Sequence, residues 1–346
     1  TMGAIRLDDL TFHGAIEIHI KSSDWYAHKH HLDDNYNNVV LHVVYEHDKE
    51  VYQAGRKLPT LELKEYIDKR HFFKYKQGIG RQNELLCANE LSNIDSIHII
   101  SMMEKALVDR LNGKVRFIRS LLLSNEESEL LYYFIAAAFG THVNKNAFLE
   151  LARRVPRKAL LKLNVSQRYK LLLSESGLLS GKGEAMTKVE QWHFKGNRPS
   201  NFPTVRIRQF AALIERMDVN TSLLYSSPQA LLDSMHLIFD KANLAMEKGQ
   251  QKLTTSFKNH LIINAVVPFV WLLGEQNCSE RCQEQALSLL ELIPAEENAL
   301  LRKWKKYGVI PSNAYQSQAL IGLYRDYCCR KKCLSCAVGN KVLNRL

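Results

Sequence analysis

Residues 14–48, GAIEIHIKSSDWYAHKHHLDDNYNNVVLHVVYEHD, carry Glu17, His19, Lys21, Asp24, His28, His30, His31, Asp33, Asp34 and His42 between two apolar runs. Four of the chain's 13 histidines fall between positions 28 and 42. Carboxylates and imidazoles bind divalent cations, and a bound cation can generate a water nucleophile near neutral pH. Read as a strand, AIEIHIK places Ile16, Ile18 and Ile20 on one face, the expected core face. Ala15, Glu17, His19 and Lys21 then share the other, about 6–7 Å apart at successive positions. A carboxylate followed two residues later by a base can hold magnesium or manganese beside a phosphodiester. Glu17 would ligate the ion, and His19 or Lys21 would polarise the water or steady the charge. The same alternation also describes a solvent-facing strand of mixed charge. His28 and His30, with His31, form either a zinc or phosphate (substrate) site or a wet loop. His42, alone in the apolar run VVLHVVY, reads as a hydrogen-bonded core histidine.

A second group lies at the far end. YCCRKKCLSCAVG sets Cys328, Cys329, Cys333 and Cys336 at spacings that can wrap a zinc ion or an iron–sulfur cluster. A complete set needs four ligands, drawn from these residues, from Cys278 and Cys282 in NCSERC, or from a distant histidine. The alternative is a set of reduced, buried cysteines behaving as small hydrophobes. A third group is HFKGNRPSNFPTVRIRQF, residues 193–210. Here Pro203 sits near a helix start, Asn201 and Thr204 are available as caps, and Arg198, Arg206 and Arg208 cluster beside them. Arginines at a helix N-terminus suit a phosphate backbone. They equally suit a structural loop in which each is paired to an acid. Trp192, Phe194 and Phe202 are able to stack on bases or to pack inside the fold.

The elements that must position these groups differ along the chain. Residues 4–64 alternate in short β-branched runs broken by Gly, Pro and Asp-Asp, the mark of strands and hairpins. From about residue 90 the apolar residues recur at three- and four-residue spacing, as in SIHIISMMEKALVDRLNGKVRFIRSLLL and VRIRQFAALIERM, which predicts helices to the end of the chain. The fold class expected is therefore α+β: a small mixed sheet over residues 1–90, then an all-helical region over 91–346 ending in the cysteine cluster. The boundary falls near 70–95. No uninterrupted apolar run reaches membrane-spanning length, and LIINAVVPFVWLLG (261–274), with Pro268 inside, reads as a buried helix pair, so no membrane partner is expected. With 47 Lys and Arg against 36 Asp and Glu, the chain of 346 residues carries a net charge of +11, which points to a polyanion such as nucleic acid. Seven cysteines without a disulfide-like framework, and a start lacking an export signal, point to a reducing, cytoplasmic compartment. The oligomeric state is not legible.

Several of these blocks, GAIEIHIKSSDWYAHKHHLDDNYNNVVLHVVYEHD, RPSNFPTVRIRQFAAL, IINAVVPFV, PAEENALLRKW and SQALIGLYRDYCCRKKCLSCAVG, occur in the order found in a bacterial family known as domain of unknown function 2851, which the chain resembles over nearly its whole length. The resemblance carries no assigned activity. It implies a further N-terminal segment with a Gly-Pro-Asp-Phe block ahead of residue 1. An Asp there, then Glu-x-basic on the next strand, would be similar to the core of the PD-(D/E)XK nucleases, a restriction-endonuclease-like fold in which Asp and Glu bind the metal and Lys assists the water. Glu17 is the matching acid. His19 stands where the lysine is expected, so that either His19 substitutes or Lys21 reaches in from the same face. The expected function is a metal-dependent nuclease-like activity, with a non-catalytic nucleic-acid-binding protein and a helical interaction scaffold as the alternatives.

Overall fold

The computed structural model describes residues 2–7, 9–67, 85–121, 127–179, 192–217 and 226–344, together with Lys69, Arg70, Phe73, Tyr75 and Lys76. Most of the mixed segment at 70–84, where the change of texture was expected, lies outside these residues. The fold is α+β, with a small mixed sheet at the N-terminal end and a large helical region. Two compact units divide the chain: residues 1–86 with 341–346, and residues 87–340.

The first unit is built on a four-stranded sheet in the order β1 (Met2–Leu7), β2 (Leu10–Lys21), β3 (Val39–Glu46) and β6 (Thr60–Glu62), with β4 (Tyr52–Gln53) and β5 (Arg56–Lys57) forming a separate hairpin. β1 runs antiparallel to β2, whereas β2–β3 and β3–β6 are parallel. Parallel neighbours need a crossover connection. Residues 22–38 supply the first, with the short helix Asp24–Ala27 and two 3-10 turns, and residues 47–59 supply the second. The β4–β5 tip, Ala54-Gly55, has φ of 48° and 76°, as a two-residue hairpin of the favoured twist requires. The β2–β3 register slips by one residue between Ala15, opposite Val39, and Ile16, opposite Leu41. Gly14 sits at this bulge because a Cβ there would stand 2.4 Å from Val40 and 2.6 Å from the Asn38 carbonyl.

The first crossover decides which face of the sheet is inside. Trp25, Val39, Val51 and Leu58 form the unit's core, with Ala15, Tyr26 and Tyr36 packed on it. Trp25 is fully buried; an indole of this kind withdraws roughly 200 Å² from water, about 5 kcal/mol of transfer free energy. The crossover lies on the side carrying Glu17, His19, His42 and Val44, and the last two are fully buried. The expected core face is corrected by this arrangement. Ile18 and Ile20 are 65% and 71% exposed, and Leu61 on the same side is 40% exposed. Alternation separates the two faces of a strand; it does not say which one a crossover will cover.

In the second unit, Tyr132, Phe139, Phe148, Phe210 and Phe257 form one aromatic core, with Phe210 stacked on Tyr132 at 5.5 Å. The apolar run around Pro268 is a single helical stretch, Thr255–Gln276, and not a pair of helices. A π-helical turn over Ile262–Val266 runs directly into the segment containing Pro268. A proline lacks the N–H of the regular ladder, and the wider turn takes up that irregularity without breaking the helix. One of its carbonyls, that of Ile263, accepts a bond from Lys114 Nζ at 3.4 Å. Among the described residues this is the one helix long and apolar enough to cross a membrane, and 83% of that stretch is buried inside the protein. A second π-helical turn spans Leu323–Cys328.

Candidate metal centre

Two adjacent elements build the site. β2 brings Glu17 and His19 to the covered face of the sheet, and the parallel register sets His42 of β3 beside Glu17. The crossover brings His28 and His30. It is fixed at its start by Asp48, which accepts from the Ser22 hydroxyl at 3.0 Å, the Ser23 N–H at 2.9 Å and the Ser23 hydroxyl at 2.7 Å. The Ser23 bonds, with those from Ser22, hold the Asp48 carboxyl down at about 2. Asp24 Oδ2 accepts from the Lys21 N–H at 2.9 Å. Lys29 then adopts a left-handed conformation, φ 62°, which reverses the chain between His28 and His30 so that both rings turn toward β2. Such a backbone costs a non-glycine residue of the order of 1 kcal/mol, a local strain that the packed surroundings must hold.

The rings converge. His19, His28 and His30 each offer a nitrogen, and the three lie within 4.8 Å of one another. His28 Nδ1 is 3.2 Å from His19 Nε2, and Glu17 Oε1 is 3.9 Å from the same His19 nitrogen. His30 stacks on Tyr36 at 3.9 Å and meets the edge of Trp25 at 5.3 Å. Behind this trio, His19 Nδ1 and His42 Nε2 are 2.8 Å apart. Burial lowers the pKa of His19, and the charges of His30 and His28 lower it further against the opposing pull of Glu17. His30 is lowered mainly by burial. Both are therefore neutral near pH 7 with free lone pairs, the form that binds a metal. His28 is exposed at the rim, and Glu17 is 28% exposed.

His42 titrates lowest. Burial first, then the charges of His19, His47 and His30, bring it from 6.5 to about 4. Between those two values the unfolded chain binds more protons than the folded one. The stability contribution is thus fully present above about pH 6.5 and is lost as the pH falls to about 4, by ~3 kcal/mol. Urea unfolding in EDTA across this window should record that loss, and His42→Gln should flatten the curve.

The remaining residues expected at a site are distributed otherwise. Lys21 is exposed at the end of β2, and its backbone is tied to Asp24. Arg198, Arg206 and Arg208 belong to the helical unit, apart from Glu17 and the histidines. Arg206 is not a surface cation. It is buried, donates to Gln209 Oε1 at 2.7 Å and Asn201 Oδ1 at 2.6 Å, lies over the Phe257 ring, and is drawn down to about 10 by its burial. Asn201 is occupied by that bond, so the helix Pro203–Leu213 starts without a side-chain cap. Arg208 lies over the Tyr169 ring and Arg198 is exposed. Trp192 packs on Phe148 and donates to the Ser176 carbonyl, and Phe194 packs on Phe202. Among the cysteines, Cys328 and Cys333 are half-buried, Cys336 is buried and Cys329 is exposed. Cys278 is exposed, and Cys282 is buried in its own helix.

Residues 1–189 and 183–299 match the profile of a family described as protein of unknown function, DUF2851. The chain belongs to this family. The DUF2851 match contains the whole histidine centre and its Asp48 clamp and ends before the cysteine turn at 328–336. No curated protein and no solved structure matches the chain. Asp48, the turn at Lys29 and the inward position of Trp25 were missed from the sequence. Asp48 lies 24 positions beyond Asp24 in a run of charges, with no spacing signal linking it to Ser22 and Ser23.

Proposed function

We propose that the chain is a metal-dependent phosphodiester hydrolase acting on nucleic acid, its ion held by His19, His28 and His30, with Glu17 as the neighbouring base. The observation that carries this reading is the convergence of three imidazole nitrogens beside a carboxylate on a clamped scaffold. The donors fit the ion. Two imidazole ligands at ~2.05 Å on a tetrahedral centre stand about 3.3 Å apart, against 3.2 Å between His28 Nδ1 and His19 Nε2. Three nitrogen donors favour zinc or a similar transition ion over magnesium, whereas manganese is the better fit if Glu17 also ligates. When bound, such an ion lowers the pKa of a water and polarises a phosphoryl oxygen.

The chain's own groups do the rest. His42 accepts from His19 Nδ1–H and so fixes the tautomer that leaves Nε2 free as a donor atom, the role that outer partners of ligating histidines commonly fill. Glu17, 3.9 Å from that nitrogen, is positioned to take the proton of an attacking water. His19 is thus a ligand in this reading, and Lys21 takes no part in the chemistry. The net charge of +11 favours a polyanionic substrate. The strand order, with acid-x-base on β2 leading through a crossover into parallel β3, supports the nuclease-like class.

The test is zinc and manganese binding measured by calorimetry, with cleavage of single- and double-stranded DNA and RNA, for wild type, Glu17→Gln and Lys21→Ala. Glu17→Gln should cut turnover about 10²- to 10⁴-fold, the usual contribution of a general base, while metal binding persists. Lys21→Ala should leave turnover within about threefold. Equal activity of wild type and Glu17→Gln would end the catalytic reading. Salt-dependent binding without cleavage would favour a non-catalytic nucleic-acid-binding protein instead.

A further inference from the structure

Four cysteines meet inside the helical unit, at its two ends. Cys87 opens the unit, just ahead of the 3-10 turn Ala88–Asn93, and is buried. Cys328 ends the π-helical turn Leu323–Cys328. The chain then reverses through Lys331, at φ 53°, with the Lys331 N–H donating to the Cys328 carbonyl at 3.1 Å. Cys333 starts the next 3-10 turn, the Cys336 N–H donates to its carbonyl at 3.2 Å, and the Asn340 N–H donates to the Cys336 carbonyl at 2.8 Å. The final helix is pressed onto this turn at Gly339, where a Cβ would stand 2.5 Å from the Cys333 carbonyl oxygen and 3.0 Å from the Cys333 Cβ. Only glycine allows that approach.

The thiols feel one another. Burial, then Cys336 and Cys333, push Cys87 up to about 12. Burial, then Cys87, Cys336, Cys333 and Cys329, push Cys328 up strongly. Cys87 therefore joins three residues that lie roughly 240 positions away in the chain. Packing asks for apolar volume at such a spot, and any small hydrophobe would supply it. Four mutually facing thiols are the arrangement that a thiophilic metal centre uses. All are reduced. The spacing also separates two kinds of centre. A zinc ion, with each sulfur at ~2.3 Å, draws its four ligands to about 3.8 Å from one another; a multi-iron cluster holds its thiolates further apart. Among the described residues no three cysteine sulfurs lie within 4.8 Å of one another.

We propose that Cys87, Cys328, Cys333 and Cys336 ligate an iron–sulfur cluster that clasps the first and last turns of the helical unit. Cys329, although adjacent to Cys328, is exposed and stays outside the set. The site is separate from the histidine centre in ligand type and in unit, so either can fail without the other. Tying together segments so distant in sequence restricts the unfolded chain strongly, and removal of the cluster should lower the melting temperature of the helical unit.

The full chain, expressed with iron supplementation and purified without oxygen, should contain iron and acid-labile sulfide in near-equal amounts, with a broad visible absorption that dithionite bleaches. Cys87→Ser should reduce the cluster content at least fivefold, and Cys329→Ser should leave it unchanged. If Cys87→Ser does not fold, the wild type still decides. Chelation of the cluster should lower the melting temperature, and reconstitution with ferrous iron and sulfide should restore both absorption and melting temperature. Stoichiometric zinc without sulfide, a folded wild type free of metal at this site, or a cluster kept in Cys87→Ser and lost in Cys329→Ser would each overturn the proposal.

Discussion

Trp25→Ala is expected to destabilise the sheet unit by about 3–5 kcal/mol, the cost of emptying a large aromatic site. The indole is fully buried and touches His30, His42 and Tyr36 at ring separations of 5.3, 5.2 and 5.6 Å. No smaller side chain can fill the space between β3 and the crossover. Against a typical domain stability of about 5–15 kcal/mol, a loss of this size leaves a small unit partly open. Hydrogen exchange should report it directly: the β2 and β3 amides lose protection, while amides of the aromatic core around Phe210 keep theirs. Equal protection of both in the variant would mean that the crossover does not hold the sheet.

His19→Ala is the larger test of chemistry. His19 lies at the centre of the cluster, within hydrogen-bond distance of His28 on one side and His42 on the other. Removing an outer partner of a metal ligand commonly costs 10- to 100-fold in affinity, and removing the ligand itself costs more. Zinc affinity should therefore fall by more than about 100-fold, with turnover at background. His31→Ala is the control. His31 follows His30 directly yet packs on Tyr26 at 5.0 Å, outside the trio, and its loss should change zinc affinity by less than about threefold. If His31→Ala and His19→Ala weaken zinc equally, the ion sits elsewhere in the loop.

Much of this was legible in the residue pattern. The alternation in 4–64 marks strands, the three- and four-residue spacing beyond 90 marks helices, and the histidine cluster marks the site. What could not be read depends on contacts between distant segments. Ile16, Ile18 and Ile20 make the better apolar stripe, yet the crossover puts Trp25 on the opposite side, because its path is set by the parallel pairing of β2 and β3 and not by hydropathy alone. Arg206 reads as an anion ligand from its position after Pro203; only the fold brings Phe257 and Gln209 against it. Cys87 is isolated in its own neighbourhood, with no nearby cysteine to suggest a ligand, and its partners lie at the other end of the chain. The Asp48 clamp is of the same kind. A serine pair and an aspartate 25 residues away have no periodic relation that could flag them.

The two π-helical turns have a consequence for insertions and deletions. Such a turn holds one residue more than the α-helical turn it replaces, and each α-helical residue advances the helix by about 100°. Deleting one residue from Ile262–Val266 or Leu323–Cys328 would therefore restore a regular helix and rotate everything after it by that angle. Downstream of the first turn, Trp271 would swing away from Asn112, to which its indole now donates at 2.8 Å. Deletion within the second would re-aim Tyr327 away from Asp109 and carry Cys328 around with it. The rotational phase of both helices is thus set by a single extra residue each, and point substitution within those turns is a milder change than any change of length.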